Sequence, residues 1–208
     1  MRRQWLVAVV PLALLAGIAS GCGSSHKAST SSSTTTALAA PLAPEKPAPA
    51  PAFTLDNQFG KPISLSQYRG KAVLLTFLYV HCPDVCPLIT AALRTTTDKL
   101  GAQAKDVQVI AISVDPVGDT PKAVRSYLSV RGVLHCFQYL VGTRKQLAPV
   151  WAKYHVVSEP DPKLKRLVGH TGIVIGIDAG GLVRAYYPST PLKPAWMVHD
   201  VPLLAKSS

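Results

Sequence analysis

The chain has 208 residues, 48% of them hydrophobic, which is enough for a sizeable core. Its formal charge is +11, and without residues 1–21, which hold Arg2 and Arg3 and no acids, 20 basic side chains face 11 acidic ones. That balance favours acidic partners or an anionic membrane surface. The basic residues form no tract and no stripe interleaved with aromatics, which excludes a nucleic-acid-binding protein.

Residues 1–21 have the parts of a secretory signal peptide: basic Arg2 and Arg3, an apolar run over 6–15 interrupted by Pro11, and the small residues Ala19, Ser20 and Gly21. The run is short for a membrane-spanning helix. Cys22 follows at once, and the site resembles a bacterial lipobox, in which that cysteine is lipidated, with Ala19 where such motifs usually carry leucine. Residues 22–51 are rich in Ser, Thr, Ala and Pro, a composition that buries no core and stays extended. The expectation is a lipid-anchored stalk, then a globular domain over 52–208. It would stand outside the cell on the outer face of a bacterial cytoplasmic membrane.

Within that domain, 53–65 reads as a short β-hairpin turning at Asn57-Gln-Phe-Gly60, and Tyr68-Arg-Gly-Lys71 as a turn. Residues 73–79 are nearly continuous in apolar side chains, as in a strand buried on both faces. Next come Cys82 and Cys86, four residues apart, with Pro87 behind them and an amphipathic run over 88–100. Proline suits the first turn of a helix, where its missing N–H has no partner. The stripe Leu88, Ile89, Ala92, Leu93, Thr96, Leu100 would face the core, and Gly101 would stop the helix.

Residues 107–114 form a second buried strand. Thr120 and Pro121 supply an N-cap and first turn for a helix to about Val130, and 137–141 is a third strand. Thr143 and Gln146 match a capping box for a helix to about Tyr154. A polar, proline-containing loop over 155–169 precedes two strands, 173–177 and 182–187, joined by Asp178-Ala-Gly-Gly181. The tail 191–204 has helical character, with Pro194 and Pro202 against it. The order ββ-α-β-α-β-α-ββ-α predicts a thioredoxin-like α/β sandwich, its central mixed sheet flanked by helices. The cysteine turn falls at the carboxyl end of a central strand, where open α/β sheets place their sites.

Two cysteines at a helix mouth meet exposed N–H groups and the positive end of the helix dipole, which favour thiolate. Such a pair can hold a soft metal such as Cu(I) or cycle through a disulfide. Cys136 is left over and reads as a small buried thiol at the start of a strand, beside His135. His81 adjoins Cys82 but should point to the opposite face. His155 and His199 read as surface or structural residues.

Cys82-Pro-Asp-Val-Cys86-Pro, Ser113-Val-Asp-Pro116 with Asp119-Thr-Pro121, and Gly169-His170-Thr171 with Asp178 and Gly180-Gly181 resemble the Sco/SenC family over about residues 50–205. These are thioredoxin-fold copper proteins that help assemble the binuclear copper centre of cytochrome c oxidase. The resemblance implies copper ligation by Cys82, Cys86 and His170. Two thiolates would favour Cu(I), and the imidazole would support Cu(II) as well. Asp84 would hydrogen-bond at the helix start, and Asp115 would support the strand end beside the site.

Two functions follow. One is a copper metallochaperone that delivers its ion to the copper-bearing oxidase subunit, kept reduced by an extracytoplasmic thiol reductant. The alternative is a membrane-tethered thiol–disulfide oxidoreductase that attacks partner cysteines through Cys82. Against a general reductase, the spacing is Cys-x3-Cys, and no proline precedes the strand at Ile173, where thioredoxins place a cis-proline. A peroxiredoxin is disfavoured because Val80 and His81, not a threonine, precede Cys82.

Overall fold

The run Ala72–Leu78 is apolar at six of its seven positions and buried at all seven. Such a segment can only be the centre of a sheet covered on both faces. Its one polar side chain, Thr76, donates its hydroxyl to the Ile173 carbonyl at 2.8 Å, so the interior keeps no unmade hydrogen bond there. This computed structural model describes residues 37–160, 168–169 and 172–207. The signal segment, Cys22 and His170 lie outside the described residues.

The strands are β1 Ala48–Pro49, β2 Thr54–Asn57, β3 Pro62–Ser64, β4 Ala72–Leu78, β5 Val107–Ser113, β6 Phe137–Val141, β7 Glu159–Pro160, β8 Val168–Gly169, β9 Ile173–Ile177 and β10 Leu182–Pro188. The helices are α1 Val85–Leu100, α2 Pro121–Val130, α3 Arg144–Lys153 and α4 Pro194–Lys206. The main sheet runs β1-β10-β9-β4-β5-β6-β2-β3. β4, β5 and β6 are parallel, with Leu75 beside Ile110 and Ile110 beside Gln138. β9 lies antiparallel on the other flank of β4, Leu75 opposite Ile175. This is the mixed-sheet α/β sandwich that the element order predicts. The loop over 155–169 differs from expectation in carrying a small ribbon, with Glu159 opposite Gly169 and Pro160 opposite Val168.

α1 buries Cys86, Ile89, Thr90, Ala92, Leu93, Thr96 and Leu100. Leu88, expected in that stripe, is 62% exposed. The helix starts at Val85 and takes its phase from Cys86, and a position two residues further on lies across the helix. Thr90 turns inward instead, its hydroxyl satisfied by the Cys86 carbonyl at 2.9 Å. Thr120 caps α2 by accepting the Ala123 N–H, and Gln146 of α3 accepts the Thr143 N–H, as the sequence predicts.

The tail is a helix despite its prolines. Pro194 takes the first turn, where it costs nothing, while Pro202 sits inside α4. A proline in a helix interior costs about 3 kcal/mol. Burying Met197, Val201 and Leu204, all at most 1% exposed, returns about 1.5–3 kcal/mol each, so the helix survives. Among the described residues no helix is long and apolar enough to cross a membrane.

The end of the Ala/Pro-rich stretch does not stand off the domain as its composition suggests. β1 pairs antiparallel with β10, and Leu42 bridges Tyr186. The N–H groups of Ala39 and Ala40 donate to the buried Asp200 carboxylate at 2.6 and 2.8 Å. Leu38, Ala40 and Ala50 are partly buried against the core. A segment with few large apolar side chains is strapped down here largely by its backbone, a kind of binding that composition does not reveal.

Candidate metal centre

β4 ends at Leu78 and α1 begins at Val85, so the chain must turn sharply at the carboxyl end of the central strand. The turn is closed by the Cys82 N–H, which donates to the Tyr79 carbonyl at 3.3 Å. The Cys86 N–H then points at the Cys82 sulfur, 3.4 Å away. An amide aimed at a sulfur from the first turn of a helix suits a sulfur carrying negative charge. Cys82 is 8% exposed and Cys86 0%, so one sulfur fronts the solvent side and the other stands behind it.

The Cys86 thiol is pushed far above its ordinary pKa. The hydrogen bond it shares with Cys82 holds its proton in place, and burial adds to that; the Tyr79 backbone opposes it, and the charges of Cys82 and Asp119 add a little. Cys86 is therefore the partner that keeps a proton. Sulfurs close enough to share one are close enough to close on a single soft ion or to be oxidised to a disulfide. Behind them the Thr90 hydroxyl meets the Tyr127 hydroxyl at 2.8 Å, and the Arg131 guanidinium lies 3.6 Å over the Tyr127 ring.

The other expected residues fall out differently. His81 is exposed and lies on the side of Asp115 and Gly118: a side chain added at Gly118 would come within 2.9 Å of its Nδ1 and would overlap the Asp115 carboxylate. Asp115 supports the strand end, its Oδ1 accepting the N–H groups of Val117 and Gly118 at 3.1 and 2.9 Å. Asp84 holds the N-cap position, yet its exposed side chain makes no capping hydrogen bond, contrary to expectation. Cys136 is exposed rather than buried, because inward alternation begins one residue later at Phe137. His135 lies flat on Phe59, ring centroids 5.9 Å apart.

His170, the third ligand implied by resemblance, lies outside the described residues. Among the described residues no group of three His, Cys, Asp or Glu side chains converges on a metal position. Gly172, two residues beyond His170, lies beside the start of α1: a side chain there would contact Val85 at 3.6 Å. Sequence reasoning gave Asp119 no role of its own. It is a buried carboxyl whose pKa is raised to about 6 by loss of water, against the pull of its bonds to Ser113, Val80 and Tyr139. Its spacing of four from Asp115, just before the Thr120 cap, was the available signal.

Known proteins share this fold. ScoI of Bradyrhizobium japonicum with copper bound superposes with a TM-score of 0.67 at 29% identity, over 76% of this chain and 99% of that one. Apo Sco1 of Thermus thermophilus gives 0.66 at 32% identity, over 78% and 94%. The fold is thus the thioredoxin-like one of the Sco structures. Among curated relatives, the SCO1 protein homolog of Bacillus subtilis is 39% identical over 75 residues, 36% of this chain and 39% of its own length. The human mitochondrial SCO1 homolog is 30% identical over 140 residues, 65% of this chain and 46% of its own. The chain thus spans less than half the length of these two relatives. The family model described as SCO1/SenC matches residues 43–205, from the docked strap to the end of α4 and through the whole cysteine turn, so this chain belongs to the SCO1/SenC family.

Proposed function

We propose that the protein is a copper metallochaperone, binding one copper ion through Cys82, Cys86 and His170 and passing it to the copper-bearing subunit of cytochrome c oxidase. The observation that carries the reading is the sulfur pair at the mouth of α1, sharing a hydrogen bond in a pocket closed to water on the Cys86 side. Thiolates are the ligands a soft Cu(I) ion prefers, and an imidazole broadens the site to Cu(II). The Bradyrhizobium relative, 29% identical, is a copper-bound protein. The position of Gly172 beside Val85 supports His170 as the third ligand. Transfer by ligand exchange needs an acceptor whose own soft ligands replace these one at a time.

Residues 1–21 serve as a signal peptide and Cys22 as the lipidated anchor in this reading. The domain works outside the cytoplasm, and a thiol reductant there keeps the pair reduced, because disulfides persist in that compartment. A second reading is favoured by the unequal exposure of the two sulfurs. Cys82, at the front, would attack a partner disulfide; Cys86 would then displace the partner's thiol and leave a Cys82–Cys86 disulfide.

Anaerobic copper titration of the reduced chain separates the two. One tight equivalent per protein, lost in Cys82→Ala and in Cys86→Ala, supports the chaperone. Absence of tight copper together with a readily cycled Cys82–Cys86 disulfide supports the reductase. His170→Ala should weaken Cu(II) far more than Cu(I); an unchanged Cu(II) spectrum removes His170 from the ligand set.

A further inference from the structure

We propose that Asp119 is the positioning residue of the cysteine pair, setting the place of Cys82 through the backbone of Val80; the inference rests on the proposed role of that pair. The last residue of β4 in the parallel ladder is Leu78, opposite Ser113. The ladder closes with the Val114 N–H donating to the Leu78 carbonyl at 3.0 Å, and Cys82 must still be held at the mouth of α1, four residues further on. Asp119 adds a side-chain tie to that stretch. Its Oδ1 accepts the Val80 N–H at 2.9 Å, two residues before Cys82. Its Oδ2 accepts the Ser113 hydroxyl at 2.6 Å and the Tyr139 hydroxyl at 2.8 Å.

The three donors come from the chain just past β4, from the end of β5 and from the middle of β6, so one side chain ties the loop to two adjacent strands. The carboxyl is 3% exposed, and Tyr139 and Ser113 are fully buried, so water cannot replace these bonds. Only an acceptor with two oxygens can take three donors at once. Asp119 also precedes the capping Thr120, so the start of α2 braces it from behind. Its N–H donates to the Asp115 carbonyl at 2.9 Å, which closes the loop on itself. Its side-chain bonds go to Val80, Ser113 and Tyr139. It acts through the backbone, as supporting groups around a metal site commonly do.

The test uses the full chain, reduced, with Cu(I) as the probe and a competing chelator to read affinity. Asp119→Ala removes the acceptor of Val80 and should weaken Cu(I) binding about ten- to a hundredfold. Asp119→Asn keeps one oxygen for Val80 and should stay within about threefold of the parent. Tyr139→Phe removes one donor but leaves the Val80 bond, so it should lower the melting temperature without moving affinity. Asp119→Ala binding as tightly as the parent overturns the proposal. So does Asp119→Asn as impaired as Asp119→Ala, since charge and not position would then be at work. If the parent itself holds no copper, the chaperone reading fails, and Asp119 is judged on the thiol–disulfide equilibrium of Cys82 and Cys86. There the Ala variant should shift the equilibrium constant about tenfold or more while the Asn variant leaves it in place; equal behaviour of the two overturns the proposal on this readout as well.

Discussion

Replacing Asp200 with alanine should undo the strap that holds residues 38–51 on the domain. The Asp200 side chain is wholly buried and accepts the N–H groups of Ala39 and Ala40 and the hydroxyl of Tyr187, the last at 3.0 Å. Tyr187 is itself 0% exposed, so its orphaned hydroxyl costs about 1–3 kcal/mol. Bonds from the two amides to a charged acceptor are worth about 1.5–3 kcal/mol each. Those amides regain water if the strap lifts, which cancels part of that loss. His199 Nδ1 lies 2.7 Å from the carboxylate but is 46% exposed, so that contact adds little. The sum is about 3–5 kcal/mol, a large share of the roughly 5–15 kcal/mol that holds an ordinary domain together. Urea unfolding of the chain from residue 37 reads the total, and limited proteolysis reads where it is lost, with first cuts expected between residues 38 and 51. In a chain shortened to begin at residue 45, the same substitution should cost only the Tyr187 part, about 1–3 kcal/mol. A full-length Asp200→Ala variant within about 0.5 kcal/mol of its parent, with no new cleavage, would refute the clasp.

Timed alkylation with iodoacetamide should modify the exposed Cys136 first, Cys82 next and the buried, proton-holding Cys86 last; peptide mass spectrometry reads the order, and Cys86 ahead of Cys82 would contradict the geometry. Stability should also report Asp119. Its native pKa, about 6, stands above the ordinary 3.8, so the native state binds the proton more tightly than the unfolded chain does. The resulting stabilisation is complete below about pH 4 and lost as pH rises through about 6, on the order of 3 kcal/mol for a shift of about two pH units. Urea denaturation from pH 4 to 8 should show this slope in the parent and not in Asp119→Asn; parallel curves would mean the carboxyl does not titrate in that window.

The two cysteines were legible because their chemistry is local. A strand, a turn of few residues and a helix with proline in its first turn leave Cys82 and Cys86 little freedom to be apart. The hairpins around Asn57–Gly60 and Asp178–Gly181 and the caps at Thr120 and Thr143 were legible for the same reason. Leu88 was misplaced because apolar character shows which residues prefer the interior, while helical phase is set by where the helix begins. Cys136 was misplaced by one position in the strand alternation, enough to turn a thiol from core to surface. The helix at the tail was obscured by Pro202, whose local cost is visible in sequence while the burial that overrides it is not.

By itself, then, the chain of residues determined the order of elements, the buried central strand and the sulfur pair at a helix mouth, since each depends on neighbours within a few positions. Only the tertiary structure decided that the Ala/Pro stretch is held down by Asp200, that Cys86 stands behind Cys82, and that Asp119 reaches back to Val80. The cysteine pair is only 4 residues apart and is ordered by burial, while the bonds of Asp200 span 161 and 160 residues and that of Asp119 to Val80 spans 39. A buried carboxylate binds whichever N–H the fold brings to it, and backbone N–H groups look alike in every sequence.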